Sequence, residues 1–256
     1  MGIKLLKNNI SDSNSLAKAL RFNGGLHQNY KVYTSMERAL AFLLTGKIYL
    51  SDGQKWNDKE DRISMNEKKV YGHSFSCSTK ENIAMWMLYS GEHGKKGAVI
   101  DFLPSVIKSI LDIDTVELGL FDGNGQFDKK YKLKKTDGSF DLFMTDVLYV
   151  DLCKNKAKIT VRNDHATVNP PILVHDDIFC KNYAWSYEVE SRLVLRLSDE
   201  INKIAQNEKL TSIRITLPDK YLNRMRKDRL IRSPLYTEGV ETGRLSELNK
   251  NVIWDI

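Results

Sequence analysis

The stretch AWSYEVESRLVLRL, residues 184–197, is the part of the chain from which the fold is best inferred. Apolar and polar side chains alternate along its second half, a period of two that predicts a long strand. Because residues two apart share a face of a strand, Glu188, Glu190 and Arg192 are expected to point the same way. The opposite face is then expected to carry Trp185, Tyr187, Val189, Ser191 and Leu193.

Two interpretations of the charged face stay open on the sequence alone. In the first, the strand is half exposed and Glu188, Glu190 and Arg192 form ion pairs in water, as on many antiparallel sheets. In the second, the two carboxylates line a cleft, where Arg192 orients one of them and the other faces a substrate. Glycosyl-transfer chemistry uses such a carboxylate to stabilise positive charge at a sugar carbon. For either glutamate, a glutamine variant is expected to change stability little.

The rest of the chain mixes strand and helix patterns without the regular alternation of a doubly wound fold. Residues 31–35 alternate like a strand and run into a helical repeat, with Thr34 and Glu37 as a capping box and Gly46 as the stop. Further strands are predicted at 48–52, 73–79, 97–103, in a β-meander over 113–150, and at 155–163, 211–218 and 252–256; further helices at 81–94, 197–210 and 219–231. We therefore predict one α+β domain over 1–256, with a mixed, largely antiparallel sheet and flanking helices.

The composition bounds the class of protein. The 256 residues are 41% hydrophobic and 28% charged, and no apolar run is long enough to span a membrane. Cys77, Cys153 and Cys180 are far apart and form no CxxC pair, which argues against a disulfide scaffold or a zinc cluster. These features favour a cytoplasmic protein. The formal net charge of +6 permits an anionic partner without identifying one.

Four segments, in order, resemble an uncharacterised bacterial family, domain of unknown function 2971. They are YKVYTSMERALAFLLTGKIYLS (30–51), WND (56–58), FSCSTKENIAMWMLY (75–89) with KGAVIDF (96–102), and WSYEVESRLV (185–194). Lys59 departs from this pattern, since the family usually has a proline after the Asn-Asp pair. The resemblance implies a family-like core over about 30–197 and a C-terminal extension over 198–256.

The order of these segments is also similar to an ADP-ribosyltransferase core, which implies NAD as the cofactor and a transferase or NAD glycohydrolase activity. In that comparison Glu190 is the catalytic carboxylate, and Glu188 and Tyr33 complete the catalytic set. Leaving of nicotinamide creates positive charge at the ribose, which a carboxylate stabilises, and an aromatic ring gives nicotinamide a stacking surface. The residues that the resemblance assigns to NAD binding are Lys31, Thr34, Asn57, Asp58, Ser76, Ser78, Trp86, Tyr89 and Arg192.

Each of these assignments has a structural alternative. Asn57 and Asp58 fit an Asx turn, and Ser78 or Thr79 fits the cap of the next helix. Lys31 fits a solvated strand position, and the aromatic residues Tyr33, Trp86 and Tyr89 fit a core. The enzyme interpretation requires Glu190, Tyr33 and Trp86 to converge.

A toxin or phage-defence role follows from the resemblance, with an unknown macromolecular acceptor, nucleic acid or protein, and a cognate antitoxin. The rival is a non-catalytic module that binds nucleic acid or a partner through the basic segment 220–232. His-Asp neighbours at 163–165 and 174–177 are interpreted as loops, so no metal site is predicted. The sequence names neither the acceptor nor the oligomeric state.

Overall fold

The computed structural model describes residues 21–22, 27–53, 56, 70–151, 158–159, 180–225 and 229–235. Within them the protein is a mixed α+β structure whose strands pair largely antiparallel, which confirms the coarse fold class. The chain forms two compact units. The first comprises Met1–Gly24, Tyr49–Ser74 and Ile113–Arg214, and the second Gly25–Ile48, Phe75–Asp112 and Ile215–Ile256. The prediction of a single domain stays a prediction.

The strands within the described residues are β1 (Arg21–Phe22), β2 (Tyr30–Ser35), β3 (Lys47–Ser51), β4 (Val70–Ser76), β5 (Gly97–Phe102), β6 (Thr115–Phe121), β7 (Phe127–Lys134), β8 (Phe140–Asp146), β9 (Leu148–Asp151), β10 (Lys158–Ile159), β11 (Cys180–Asn182), β12 (Glu190–Leu197), β13 (Ser212–Thr216) and β14 (Leu230–Arg232). The α-helices are α1 (Met36–Thr45), α2 (Ile83–Tyr89), α3 (Pro104–Leu111), α4 (Asp199–Asn207) and α5 (Asp219–Met225). Two 3-10 helices span Glu92–Gly94 and Tyr183–Glu188.

The strands that lie wholly or partly in the first unit follow the order β1-β8-β12-β4-β3-β13-β6-β7. Strand β12 pairs with β8 from Ser191 opposite Asp146 to Leu197 opposite Phe140. Leu193 and Leu195 of β12 are completely buried, and burial of such a side chain contributes about 1.5–3 kcal/mol. The start of β12 is therefore held in the interior of this sheet. A small separate sheet has the order β10-β9-β11, with β11 parallel to β9.

The β-meander predicted over 113–150 is only partly right. Strands β6 and β7 form the expected hairpin, closed by a turn in which Asp122 accepts backbone hydrogen bonds from Asn124 and Gln126. Strand β8 does not continue the meander; among the described strands it pairs with β1 and β12. The turn at 136–139 is thus a connection between separated strands, because β8 finds its apolar partners on β12.

In the second unit β2 pairs antiparallel with β5, and β5 pairs with β14. Helix α1 follows β2, and the helix cap is Ser35, which accepts a hydrogen bond from the Arg38 backbone N–H at 3.3 Å. The predicted capping box with Thr34 is therefore displaced by one residue. Gly46 ends the helix as predicted, with φ of 66° in the left-handed region that glycine adopts readily.

Other element boundaries also differ from the predictions. The strand predicted at 73–79 ends at Ser76, and the helix predicted at 81–94 begins at Ile83, capped by the Asn82 side chain rather than by Ser78 or Thr79. The basic helix predicted over 219–231 is described only as far as Met225, and its last residues belong to β14, because Leu230 and Ile231 complete an apolar edge beside β5. The strand predicted at 252–256 lies outside the described residues.

No helix in the described ranges combines the length and the apolar character that crossing a membrane requires.

Candidate functional site

The segment around Glu190 is not the continuous strand that its alternation predicts. Tyr183–Glu188 is a 3-10 helix, Val189 has φ of 48° and ψ of 55°, and the strand begins only at Glu190. The Asn182 side chain starts the turn by accepting a hydrogen bond from the Ala184 backbone N–H at 3.0 Å. Left-handed geometry at a β-branched residue is rare and costs on the order of 1–3 kcal/mol. The two glutamates therefore flank a strained residue.

The two glutamates lie in a compact ion cluster with two cations. Lys181 Nζ is 2.7 Å from Glu188 Oε2 and 3.4 Å from Glu190 Oε2. On the other side, Arg192 Nε donates to Glu190 Oε1 at 2.8 Å and Arg192 Nη2 donates to Glu190 Oε2 at 3.2 Å. This fork geometry is the strong, directional form of an arginine–carboxylate pair.

Burial excludes the first interpretation, in which Glu188, Glu190 and Arg192 form ion pairs on a half-exposed strand. Glu188, Glu190, Lys181 and Arg192 are all buried, and Arg192 has no exposed surface at all. Aromatic rings cover both cations: the Arg192 guanidinium lies 5.0 Å from the Trp56 ring centre, and Lys181 Nζ lies 4.8 Å from the Trp185 ring centre. Charges buried in this way are stable only when paired, which the cluster achieves with two cations and two carboxylates.

Glu190 is ionised well below neutral pH. Burial raises the pKa of its carboxyl. The charges of Arg192 and Lys181 and the hydrogen bonds from Arg192 and Ser74 lower this pKa by more, so that its net value is about 2. Burial lowers the pKa of Lys181, and the charges of Glu190 and Glu188 more than offset this, so its pKa is raised. Glu190 and Lys181 therefore keep their charges across the physiological range.

Among the described residues, Ser74 is the exposed residue that contacts Glu190. The Ser74 hydroxyl, on β4, donates a hydrogen bond to Glu190 Oε1, and Ser74 itself is exposed. The Glu190 backbone N–H donates to Tyr149 Oη at 2.8 Å, and burial followed by the charge of Glu190 raises the pKa of that phenol. Both oxygens of Glu190 thus have donors, and of the donors that the structure describes only Ser74 is exposed.

The catalytic and NAD-binding residues predicted around Tyr33 lie in the second unit. Tyr33 packs edge-to-face on Trp86, with ring centres 5.0 Å apart, and both are buried. Trp86 Nε1 donates to Glu81 Oε2 at 3.2 Å. Burial raises the pKa of Tyr33 to about 12. This packing is that of core aromatic residues, and the phenol stays neutral.

The remaining predicted residues of the second unit lie on β2, at the end of β4 and in the segment that follows it. Lys31 is buried, not solvated, and its Nζ donates to the backbone oxygens of Ser78 at 3.1 Å and Thr79 at 3.4 Å. Ser76 is buried and pairs with Lys31 across the strands. Thr34, Ser78 and Tyr89 are half-buried. Lys31 therefore joins β2 to the loop after β4.

Several predictions fall outside the described residues: Asn57, Asp58 and both His-Asp pairs. Much of the basic segment lies there too, since 226–228 are outside and nothing is described of the Arg224 side chain. Among the described residues no group of three histidine, cysteine or acidic side chains is placed to hold a metal.

Sequence reasoning missed Lys181, Ser74 and Tyr149. Lys181 lies on β11, seven residues before Glu188, in a segment with no periodic pattern, and Ser74 is 116 residues from Glu190 along the chain. The pair of glutamates was the signal that could have indicated a second cation. Two carboxylates beside a single arginine leave one negative charge without a partner in the segment.

Comparison of the chain with protein-family models, with curated proteins and with solved structures gives no match in any of the three.

Proposed function

We propose that the chain is an NAD-using enzyme with an ADP-ribosyltransferase-like core, in which Glu190 is the carboxylate that acts at the ribose. The observation that carries this proposal is a buried glutamate, ionised with a pKa of about 2, that meets an exposed hydroxyl at Ser74. A carboxylate of this kind stabilises positive charge that develops at a sugar carbon.

The Ser74 hydroxyl marks where a sugar hydroxyl would bind. Glu190 Oε1 accepts from Arg192 Nε inside the cluster and from Ser74 Oγ at its exposed side. A ribose hydroxyl replaces the Ser74 donor without disturbing the buried ion pairs. The bond between the ribose carbon and the nicotinamide nitrogen then breaks, its electron pair leaves with nicotinamide, and water or an acceptor group forms the new bond and loses a proton.

The neutrality of the cluster sets a limit on how Glu190 acts. Two cations compensate two carboxylates, so the field of the cluster falls off quickly with distance. Stabilisation of a cationic ribose therefore depends on direct contact with Glu190 Oε1. Glu188, whose Oε2 is 2.7 Å from Lys181 Nζ, has the role of positioning that lysine against Glu190. Tyr33, Trp86 and the other NAD-binding residues named by the resemblance remain assignments of the proposal.

The test is release of nicotinamide from NAD by the purified chain, with and without cell extract as a source of acceptor. Glu190→Gln is expected to lower the rate by about 10²–10³, as loss of one strong electrostatic stabiliser does, and Glu188→Gln by less. Ser74→Ala is expected to keep the rate and not to raise KM, because the substrate hydroxyl itself replaces the missing donor. Glu200→Gln, an exposed glutamate of α4, is the matched control.

Because Glu190 is buried, its replacement can destabilise the fold, and each variant is first shown to be folded at the assay temperature. Glu190→Asp serves as a second variant that keeps the charge. If the folded wild-type chain neither releases nicotinamide nor transfers label, the enzyme proposal is wrong. It would favour the binding-module alternative, which rests on the basic segment 220–232. A toxin or phage-defence role, an acceptor and an antitoxin belong to the same proposal.

A further inference from the structure

The outer face of the β6–β7 hairpin is a basic surface that the proposed function does not use. Strand β7 ends the strand order of the first unit, next to β6. Val116 of β6 pairs with Leu133 of β7, and both are buried, so this pair marks the core face. The neighbouring pairs point the other way, and they are Thr115 with Lys134 and Glu117 with Lys132.

A β-bulge brings a third lysine to this outer face. Leu118 pairs with Tyr131 and Gly119 with Lys129, so Lys130 is an extra residue on β7. The extra residue reverses the alternation, and Lys129 joins Lys132 and Lys134 instead of the core side. Gly119 is required for this geometry, because a Cβ there would lie 2.2 Å from the Asp128 backbone oxygen.

The charge of the outer face is positive. Glu117 is shared by Arg214, at 2.5 Å, and Lys129, at 3.6 Å, and this sharing lowers the pKa of Glu117. Lys132 and Lys134 are exposed, and within the described part of the chain no carboxylate pairs with them. Four cations thus face one carboxylate.

Three aromatic rings cluster at one end of the same face, where Tyr49 packs against Phe121 and Phe127 with ring centres 5.0 and 5.5 Å away. Phe121 pairs with Phe127 across the hairpin, their ring centres are 5.6 Å apart, and Phe121 is 40% exposed. The Arg214 guanidinium covers Phe127 at 4.6 Å from its ring centre. An exposed ring beside a row of lysines is the combination on which single-stranded nucleic acids bind, phosphates on the cations and bases stacked on the ring.

We propose that this face, Phe121 with Lys129, Lys132 and Lys134, binds single-stranded nucleic acid. Lysines at alternate strand positions are roughly 6.8 Å apart, which lets successive cations follow an extended backbone. Lysines on an edge strand also prevent edge-to-edge pairing, but that role does not require an exposed Phe121 on the same face. The proposal is independent of NAD, so it stands or falls separately from the function of Glu190.

The experiment is fluorescence anisotropy of a labelled oligothymidine with the full chain, in the absence of NAD, over a series of salt concentrations. Three lysine contacts predict a slope of about −2 for log affinity against log salt. Lys132→Glu with Lys134→Glu is expected to weaken binding at least tenfold and to reduce the slope. Lys80→Glu with Lys203→Glu, which makes the same charge change at exposed positions elsewhere, is the matched control.

Phe121→Leu tests the ring separately, because it keeps an apolar side chain but removes the stacking surface. It is expected to weaken binding about tenfold while leaving the salt slope unchanged. Thermal unfolding of each variant shows whether the hairpin is intact. The proposal is overturned by an absence of binding at low salt or by variants that bind like the control pair. It is equally overturned if duplex DNA, polyglutamate or phosphatidylserine vesicles bind as tightly as the oligothymidine.

Discussion

Replacement of Glu190 by glutamine is expected to destabilise the fold strongly, contrary to the small effect expected from the sequence. The carboxyl is buried, and its pKa falls from the ordinary value of 4.5 to about 2. A pKa difference of this size corresponds to about 3 kcal/mol of stability in favour of the ionised form at neutral pH. Glutamine also leaves Lys181 and Arg192 with one carboxylate between them, and breaking a buried pair typically costs about 3–5 kcal/mol.

The sign of the pH dependence follows from the lowered pKa. The contribution of Glu190 is fully present above about pH 4.5 and is lost as the pH falls through the folded-state value of about 2. The free energy of unfolding of the wild type should therefore converge on that of Glu190→Gln as the pH is lowered through this window. At pH 7 the two should differ by about 3 kcal/mol.

The assay is urea unfolding of the wild type, Glu190→Gln and the control Glu200→Gln at several pH values between neutrality and the acid limit of the folded state. Glu200 is exposed in the first turn of α4, so its variant should follow the wild type throughout. A difference below about 1 kcal/mol at pH 7 between Glu190→Gln and the control would refute the buried cluster, since surface ion pairs contribute about that much or less.

Three further changes test the local geometry by the same unfolding measurement. Val189→Gly relieves left-handed strain at φ of 48°, which costs about 1–2 kcal/mol, but it also adds backbone entropy to the unfolded chain. A net gain in stability of up to about 1 kcal/mol is expected, and a loss of stability would show that the strain is absent. Gly46→Ala forces a Cβ to within 2.8 Å of the Leu217 backbone oxygen at φ of 66° and should cost at least about 1 kcal/mol, and wild-type stability would contradict that helix end. The Asn82 side chain caps α2 by accepting a hydrogen bond from the Ala84 N–H at 2.9 Å, so Asn82→Ala should cost about 0.5–2 kcal/mol of stability. Thr79→Ala, at the cap predicted from the sequence, should leave the stability unchanged.

The elements that the sequence predicted correctly are those with strong local signals. Strand β2 alternates, helix α1 has an apolar stripe, and Gly46 follows its last turn, so each is defined by residues close together in the chain. Strand β14 was missed because Leu230 and Ile231 continue the spacing of the preceding helix, and only pairing with β5 makes them a strand. Tertiary pairing of this kind overrides local propensity.

The candidate site was predictable in identity but not in environment. Glu188, Glu190 and Arg192 were singled out by spacing alone, yet that spacing is the same for a wet strand and a buried one. Burial depends on Lys181 as the fourth charge and on the rings of Trp56 and Trp185. Lys181 and Trp56 lie outside the stretch 184–197, and Trp185 lies within it but was expected on the opposite face. No local pattern links Lys181 and Trp56 to the two glutamates, because they meet only in the folded chain.

Two costs of folding coincide at the start of β12, and this coincidence separates the segment from an ordinary buried strand. Desolvation of Glu188 and Glu190 is one, and the left-handed backbone of Val189 between them is the other. A buried apolar pair would avoid the first cost, and glycine at 189 would avoid the second. Natural proteins keep backbone strain and buried charge of this kind although other residues would give a more stable fold, and such features cluster at functional sites. The hypothesis of function is therefore attached to residues 188–190 before any chemistry is assigned to them. Loss of activity in a Val189→Gly chain that is more stable than the wild type would be the clearest sign that the strain serves the site.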